Sequence, residues 1–297
     1  MISIGQVKLV TANVVELHLD ISFMQLDTTQ NNQKQNNNVN EWMEKFGAAA
    51  SKYSYSTKIL GEAFGYPIVL FFKEGQKLDK KNVLLTTLFH GDESACMVAL
   101  YEVLNAGLFG KYEDLAISFI PIVNPTGFEL NQRMNRIGEN PNRGFDYGVE
   151  APSVEGDILL HNSELLNKLA KDGFLSMHED SDVGEGIFVY TYEKDLRAPL
   201  GHAFLDANIN IMSPLNGKII TDFEKGYKED LIADGLVLNE YGDGTYEEML
   251  FMNNVCSIAA VTETPSRHDV PFEKRVELNK NYIKAFLDFV ANEDLSR

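Results

Sequence analysis

The sequence is short of positive charge, and it contains no long hydrophobic run. Its 26 Lys and Arg residues are outnumbered by 44 Asp and Glu residues, which gives a net charge of −18. A nucleic-acid-binding protein needs a basic face, so this balance argues against that class. No stretch approaches the ~18 consecutive apolar residues of a membrane span. We therefore expect a globular protein with neither a nucleic-acid partner nor a membrane partner.

The sequence also has only two cysteines, Cys96 and Cys256. Both lie in apolar runs, which is typical of buried free thiols and unlike a disulfide framework. The N-terminus, MISIGQVKLVTANVV, lacks the basic start, long apolar run and small-residue cleavage site of a signal peptide. These features together predict a reducing, cytoplasmic location.

A polar segment near the N-terminus predicts a domain boundary. The stretch TQNNQKQNNN at 29–38 contains no apolar residue, so it is predicted to be a linker. Before it, apolar and polar residues alternate from Val15 to Phe23, as in a half-buried strand, and residues 2–10 are a candidate hairpin partner. We predict an N-terminal strand or hairpin with its linker over residues 1–38, and one main domain over 39–297.

In the main domain, apolar runs typical of strands alternate with helical patterns. Strands are predicted at 68–72, 83–89, 117–123, 174–178, 187–192 and 257–263, and helices at 40–53, 92–106, 163–172, 196–207 and 272–290. This alternation predicts an α/β fold: a single domain whose mixed, largely parallel central sheet is flanked by helices on both faces. In such folds, functional residues lie beyond the carboxyl ends of the strands.

Histidines and carboxylates follow three of the predicted strands. His90 and Glu93 lie at a turn from strand into helix, and His178 ends another strand. Two imidazoles and one carboxylate are a common ligand set for catalytic zinc. Alone, the first pair is weak evidence, because a histidine that caps a helix gives the same pattern. Glu263, followed by Thr264-Pro265, is either a surface acid or a general base beside the metal.

The segment 124–145 is predicted to be a loop, and it carries three arginines, Arg133, Arg136 and Arg143. The planar guanidinium group suits a carboxylate or an oxyanion. The alternative is that these arginines only pair with nearby acids, and we expect that of Arg133.

Taken in chain order, these motifs resemble the zinc carboxypeptidase family. The matching pieces are HGDE (90–93), NPTGF (124–128), RMNR (133–136), NPNRGF (140–145), FLSMH (174–178) and TETP (262–265). They extend over most of residues 56–292. The resemblance implies a zinc hydrolase that cleaves the C-terminal bond of a peptide or acyl-amino-acid substrate with a free carboxylate.

The resemblance also implies catalytic roles at the matching positions. His90, Glu93 and His178 correspond to the ligands of one Zn²⁺. Glu263 corresponds to the general base that activates the zinc-bound water. Arg136 corresponds to the residue that polarises the scissile carbonyl and stabilises the oxyanion.

Substrate binding is implied for a second group of residues. Asn142 and Arg143 correspond to the clamp for the terminal carboxylate. Tyr241 is the first candidate for the family's mobile tyrosine, and Tyr246 is the second. The family usually has an aspartate that buttresses the first zinc histidine, whereas this sequence has Asn140, whose amide oxygen can still accept a bond from His90.

Two other functions remain open from the sequence. One is a zinc amidase or deacylase of the aspartoacylase-like type, acting on acyl-amino acids or cell-wall peptides. The other is a non-catalytic zinc- or peptide-binding domain, against which Glu263 and Arg136 argue because neither is needed to bind metal.

Acidic residues near the predicted site raise the question of substrate charge. If Glu179, Asp180, Glu247 and Glu248 all line the site, peptides with Lys or Arg near the scissile bond are favoured. The alternative is that these acids are simply solvated.

Overall fold

The computed structural model describes residues 37–297 except 74–79, 146–150, 182–185, 222–227, 233, 240, 267–268 and 293–297. The predicted N-terminal strand or hairpin, and the linker up to residue 36, lie outside the described residues. Residues Asn37–Arg297 form one compact unit. Within its described part, no helix is long and apolar enough to cross a membrane.

Strands and helices alternate along this unit, as the sequence predicts. The strands are β1 (Ser56–Ala63), β2 (Tyr66–Phe72), β3 (Lys81–Thr87), β4 (Leu115–Ile120), β5 (Gly173–Asp180), β6 (Phe188–Tyr192), β7 (Gly217–Thr221), β8 (Lys228–Ile232), β9 (Leu236–Leu238) and β10 (Ala259–Pro265). The helices are α1 (Val39–Ser51), α2 (Ser94–Asn105), α3 (Pro125–Leu130), α4 (Val154–His161), α5 (Ser163–Ala170), α6 (Pro199–Asn208), α7 (Tyr246–Met252) and α8 (Phe272–Asn292).

The central sheet of the described residues has eight strands in the order β1-β2-β4-β3-β5-β10-β6-β9. Strands β4, β3, β5 and β10 run parallel to one another, and β9 runs parallel to β6. The β1–β2, β2–β4 and β10–β6 pairs are antiparallel. The mixed, largely parallel sheet of the sequence prediction is therefore confirmed. The parallel strands lie at the centre because they are apolar on both faces; in β4, all six residues are buried.

Several elements are absent from the sequence prediction. They are β1, β7, β8, β9, α3, α4 and α7. Strand β1 is an edge strand whose outward residues are exposed, so it lacks the apolar run that marks its neighbours. Helix α3 lies in the segment predicted to be a loop; Asn124 caps it by accepting a bond from the Gly127 amide, with Pro125 at its first position.

Alternation along the central strands divides the core into two layers. In β5, Leu175 packs into the layer that contains α1, α2, α6 and α8. Phe174, its neighbour, packs into the layer that contains α4, α5 and α7. A residue of β5 or β10 therefore faces one set of helices or the other according to its position in the strand. We call the α7 side the front face and the α2–α8 side the back face.

In the turn after β3, the backbone passes very close to the backbone at the start of α3. Leu88 adopts a left-handed conformation with φ 56°, and its carbonyl accepts a bond of 2.8 Å from the Asn124 amide at the end of β4. Gly91 has no room for a side chain, because an added Cβ would overlap the backbone of Gly127 and Phe128. This contact seats the segment that carries His90 against the start of α3.

Replacing Gly91 with alanine should therefore lower the free energy of unfolding by about 1–3 kcal/mol or more, because the added methyl group has to displace backbone. Gly47, inside α1, is the matched control, since no atom lies within 4 Å of a Cβ built there. Gly47→Ala should raise the stability by about 0.5–1 kcal/mol. Denaturant unfolding of both variants checks this, and equal effects would contradict the close-approach explanation.

Candidate metal centre

Three buried side chains converge where β3 and β5 end. The Nδ1 atom of His90 lies 2.6 Å from Glu93 Oε1 and 3.1 Å from His178 Nδ1. His178 Nδ1 lies 2.9 Å from Glu93 Oε2. The potential ligand atoms all lie within 4.8 Å of one another, and each residue is at most 3% exposed. We call these three residues the triad.

The outer ring nitrogens of both histidines have partners that fix the orientation of the rings. Nε2 of His90 lies 3.2 Å from the amide oxygen of Asn140, and Nε2 of His178 lies 2.9 Å from the hydroxyl of Ser176. The contact expected for Asn140 is thus present. Since both outer nitrogens are engaged, the two Nδ1 atoms are turned toward each other and toward Glu93.

The charge states of the triad suit metal binding. Burial, together with the neighbouring Arg133 guanidinium, lowers the pKa of His90 to about 3, so its ring is neutral at pH 7. Burial opposes the negative charge of Glu93, but His90 and His178 hold the pKa of its carboxyl below the ordinary value. A neutral imidazole and an ionised carboxylate are the forms that bind a metal ion.

The donor set fits zinc. Glu93 Oε2 is buried, and its contact of 2.9 Å with His178 Nδ1 lacks the geometry of a good hydrogen bond. Leaving such an atom unsatisfied costs free energy, and a bound cation would satisfy it. Two imidazole nitrogens and a carboxylate match the preference of Zn²⁺, with a further position left for water or substrate.

Glu263 lies beside the triad on the next strand. Strands β5 and β10 are parallel, and Glu263 is directly opposite His178 in their register. Both residues therefore project from the same face of the sheet. Burial, followed by the charges of Glu93 and Asp180, raises the pKa of the Glu263 carboxyl well above its ordinary value.

Of the three loop arginines, it is Arg133 whose guanidinium contacts the triad. Its Nη1 lies 3.0 Å from His90 Nδ1 and 3.3 Å from Glu93 Oε1. Arg136, which the family resemblance assigns to catalysis, instead lies 3.9 Å from Glu129 Oε2 and 5.9 Å from the Phe64 ring centre. The structure therefore places the guanidinium of Arg133, rather than that of Arg136, against the triad, and the catalytic role of Arg136 stays a prediction.

The positions of Arg133 and Arg136 follow from contacts of the backbone that the sequence motif does not show. The carbonyl oxygen of Arg133 accepts bonds from the Gly91 amide at 3.3 Å and from the Asn124 side chain at 3.1 Å. These bonds bring Arg133 next to His90. The amide of Arg136 donates to Thr126 Oγ1 at 3.1 Å, on α3. The signal that sequence reasoning missed is Asn124, whose side chain joins this loop to the end of β3 through the Phe89 carbonyl.

Asn142 and Arg143 lie in the segment that anchors α7. The Asn142 side chain donates to Glu247 Oε1 at 3.1 Å and accepts from the Tyr246 amide at 3.0 Å. Arg143 is half-buried, and its Nη1 donates to the Asn142 carbonyl oxygen at 2.9 Å. The side-chain amide of Asn142 is thus bonded within the protein on both its nitrogen and its oxygen, and its role in binding substrate stays a prediction.

The two tyrosine candidates differ in their surroundings. Tyr246 is 1% exposed and packs among Phe89, Phe145 and Phe174, so it belongs to the core. Tyr241 is 39% exposed and contacts the ring of Tyr192 at 5.7 Å between centres. Of the two, only Tyr241 has the exposure that a substrate-contacting residue needs.

The glycine-rich segment after Tyr241 is tied to α7. The carboxylate of Glu248 accepts backbone bonds from Gly242 at 2.7 Å, Asp243 at 3.1 Å and Gly244 at 2.9 Å. This carboxylate therefore holds the segment in place. Glu179 is likewise engaged elsewhere, because it projects to the back face. Of the four acids considered for substrate charge, three are thus held by contacts within the protein: Glu179, Glu247 and Glu248.

Comparison with known proteins agrees with this geometry. No protein-family model and no curated protein matches the chain. Among solved structures, a candidate metallopeptidase from Shewanella amazonensis SB2B has a TM-score of 0.75 at 29% identity, covering 86% of this chain and 95% of that one. A candidate metallopeptidase from Shewanella denitrificans OS217 has a TM-score of 0.74 at 27% identity, covering 84% of this chain and 89% of that one.

A more distant structure shows the same fold. A metallo-carboxypeptidase from Pseudomonas aeruginosa, in complex with (2-guanidinoethylmercapto)succinic acid, has a TM-score of 0.59 at 16% identity, covering 84% of this chain and 68% of that one. The two Shewanella structures confirm the resemblance to metallopeptidases of the carboxypeptidase-like family and the interpretation of the chain as a hydrolase, and the Pseudomonas structure shows the same fold.

If the triad is a metal site, the metal-free protein should bind one Zn²⁺ tightly, and His178→Ala should lose most of that affinity because one of three ligands is removed. His202, an exposed residue of α6, provides the control, and His202→Ala should bind zinc like the wild type. Titration with zinc against a competing chelator measures both. Equal affinity in all three proteins would rule out the ligand assignment.

Proposed function

We propose that this metallocarboxypeptidase-like hydrolase removes the C-terminal residue of a peptide, with His90, Glu93 and His178 as the ligands of one Zn²⁺. The observation that carries the proposal is the buried triad, whose potential ligand atoms lie within 4.8 Å of one another. When bound, zinc supplies a Lewis acid that lowers the pKa of a water molecule and polarises a carbonyl group.

Glu263 is proposed as the general base. It shares the front face with His178, which supports a role in taking a proton from the attacking water and returning it to the leaving amine. Burial raises the pKa of this carboxyl, which suits a group that must first accept and then release a proton. The position of Glu263 in a strand that pairs on both sides limits its movement during these steps.

Arg133 is proposed to stabilise the oxyanion, the role that the family resemblance assigns to Arg136. Its guanidinium lies within 3.3 Å of His90 and Glu93 atoms, next to the place where the scissile carbonyl would bind. A fixed cation at that place favours the transition state over the neutral carbonyl of the substrate, because the negative charge develops only as water attacks. The side chain of Arg133 is 45% exposed, so a substrate can reach it.

Arg143 is proposed to bind the free carboxylate of the substrate, which is what restricts an exopeptidase to the last residue. Its planar guanidinium can bind both carboxylate oxygens. Tyr241 is proposed to contact the substrate from the exposed side. Asn142 supports this site by joining the loop before Arg143 to the first turn of α7.

A second candidate function is a zinc amidase or deacylase acting on acyl-amino acids or cell-wall peptides. The observation that favours it is the contact between Asn142 and Glu247, because a buried carboxylate beside the proposed clamp opposes the binding of a substrate carboxylate. In that case Arg143 has another role, and the substrate is held through a different group.

Arg133→Ala should lower kcat/KM by about 10²–10³-fold with zinc binding retained, because one oxyanion donor is lost. Arg136→Ala is the matched control: it removes the same group three residues away, from a site where its contacts are Glu129 and Phe64. Steady-state kinetics on one short peptide should find Arg136→Ala within about threefold of the wild type. The opposite order of effects would restore the original assignment of Arg136.

Arg143→Ala should lower kcat/KM by at least ~10-fold for peptides with a free C-terminus, because a charge-assisted pair is lost. Peptides amidated at the C-terminus should already be poor substrates of the wild type, and the substitution should affect them much less. Paired assays on the two kinds of peptide test this. Equal cleavage by the wild type would contradict the exopeptidase proposal and favour the amidase.

A further inference from the structure

The back face of the sheet, directly behind the triad, carries a buried ion pair. Glu179 follows His178 in β5, and strand alternation turns it toward α2 and α8. Its side chain is fully buried, and its Oε1 accepts a bond of 2.7 Å from Nη1 of Arg275 on α8. Burying a carboxylate costs free energy unless its oxygens have partners, so both oxygens of Glu179 are expected to make specific contacts.

Glu179 caps the helix that carries Glu93. Glu93 is the N-cap residue of α2, but its side chain makes no cap hydrogen bond because it faces the histidines on the front. Instead, Glu179 Oε2 accepts a bond of 2.9 Å from the Ala95 amide in the first turn of α2. A carboxylate at a helix N-terminus is favourable both as a hydrogen-bond acceptor and as a charge. The cap that Glu93 cannot provide is thus supplied from the strand of His178.

A second link runs from α8 to the same strands. Asn279, one turn after Arg275, donates to Thr264 Oγ1 at 2.9 Å, and that hydroxyl donates to the His178 carbonyl oxygen at 3.3 Å. Thr264 is directly opposite Glu179 in the register of β5 and β10. Helix α8 therefore contacts, from behind, the two strands that present His178 and Glu263 in front.

We propose that Glu179 is a positioning residue for the triad: it joins the N-terminus of α2, and with it Glu93, to the strand of His178, while Arg275 holds the Glu179 carboxylate in place. This inference rests on the proposed metal site. It makes a buried contact on the far side of the sheet a determinant of metal affinity. Glu93 at the N-terminus of α2 and His178 in β5 belong to different elements, and the Glu179–Ala95 bond sets the distance between those elements.

A second buried carboxylate caps a helix that carries no residue of the triad, and it provides a matched control. Glu193, just after β6, accepts bonds from the amides of Leu200 at 3.0 Å and Gly201 at 3.1 Å, in the first turn of α6. Glu193 and Glu179 are each 3% exposed. Helix α6 carries no member of the triad, so loss of this cap affects stability without moving a ligand.

The experiment compares Glu179→Gln with Glu193→Gln in the full chain. The zinc dissociation constant is measured by competition with a chromophoric chelator, and the thermal unfolding midpoint is measured without metal. Glu179→Gln should weaken zinc binding by about 10-fold, the lower end of the effects seen when direct partners of metal ligands are removed. Both substitutions should lower the unfolding midpoint to a similar extent, but Glu193→Gln should leave the zinc affinity unchanged.

Arg275→Lys provides a second, milder variant. The ammonium keeps the charge but not the planar geometry, so zinc binding should weaken by roughly threefold. If Glu179→Gln does not fold, Arg275→Lys decides the question, and wild-type zinc affinity in that variant overturns the proposal. The proposal is also overturned if Glu179→Gln and Glu193→Gln change zinc affinity equally. A wild-type protein that binds no zinc would instead overturn the metal site itself.

Discussion

The structure depends on holding one buried carboxylate between two imidazoles at the edge of a parallel sheet. Glu93 lies within 3 Å of both His90 and His178, with all three residues out of contact with bulk water. Such a group is stable only if its protonation states and geometry are fixed by surrounding contacts. The partners of the outer ring nitrogens, Asn140 and Ser176, fix the rings from one direction. A bound cation would satisfy what these partners leave open.

The two faces of the sheet divide this task. On the front face, His178 and Glu263 are brought side by side by the register of two parallel strands. On the back face, the next residues in each strand, Glu179 and Thr264, are held by α8. Because side chains alternate along a strand, His178 and Glu263 each have a neighbour on the opposite face that can restrain the backbone. In both strands, therefore, a residue of the proposed site and the residue that restrains its backbone are neighbours in the sequence.

The loop from α3 to residue 143 and the segment before α7 complete the site by side-chain bonds to backbone. Asn124 joins the loop to the end of β3, and Asn142 joins it to α7. Glu248 fixes the glycine-rich segment that follows Tyr241. Irregular backbone needs such partners wherever it is buried, since it lacks the regular bonds of a helix or strand. In these segments the partners are the amide side chains of Asn124 and Asn142 and the carboxylate of Glu248.

The sequence by itself determined the alternation of strands and helices, the central apolar strands and the presence of His90, Glu93, His178 and Glu263 at strand ends, because period and composition are local properties. The sequence did not predict edge strand β1 or helix α7. Strand β1 is exposed on its outward side, and α7 is short and begins at its capping residue, Thr245. Only the tertiary structure shows which of Arg133 and Arg136 contacts the triad. Three residues apart, both have the same chemistry, and the contact with the triad depends on which carbonyl meets Asn124 and Gly91 across the fold. The same holds for Glu179, whose role is set by the helix behind it.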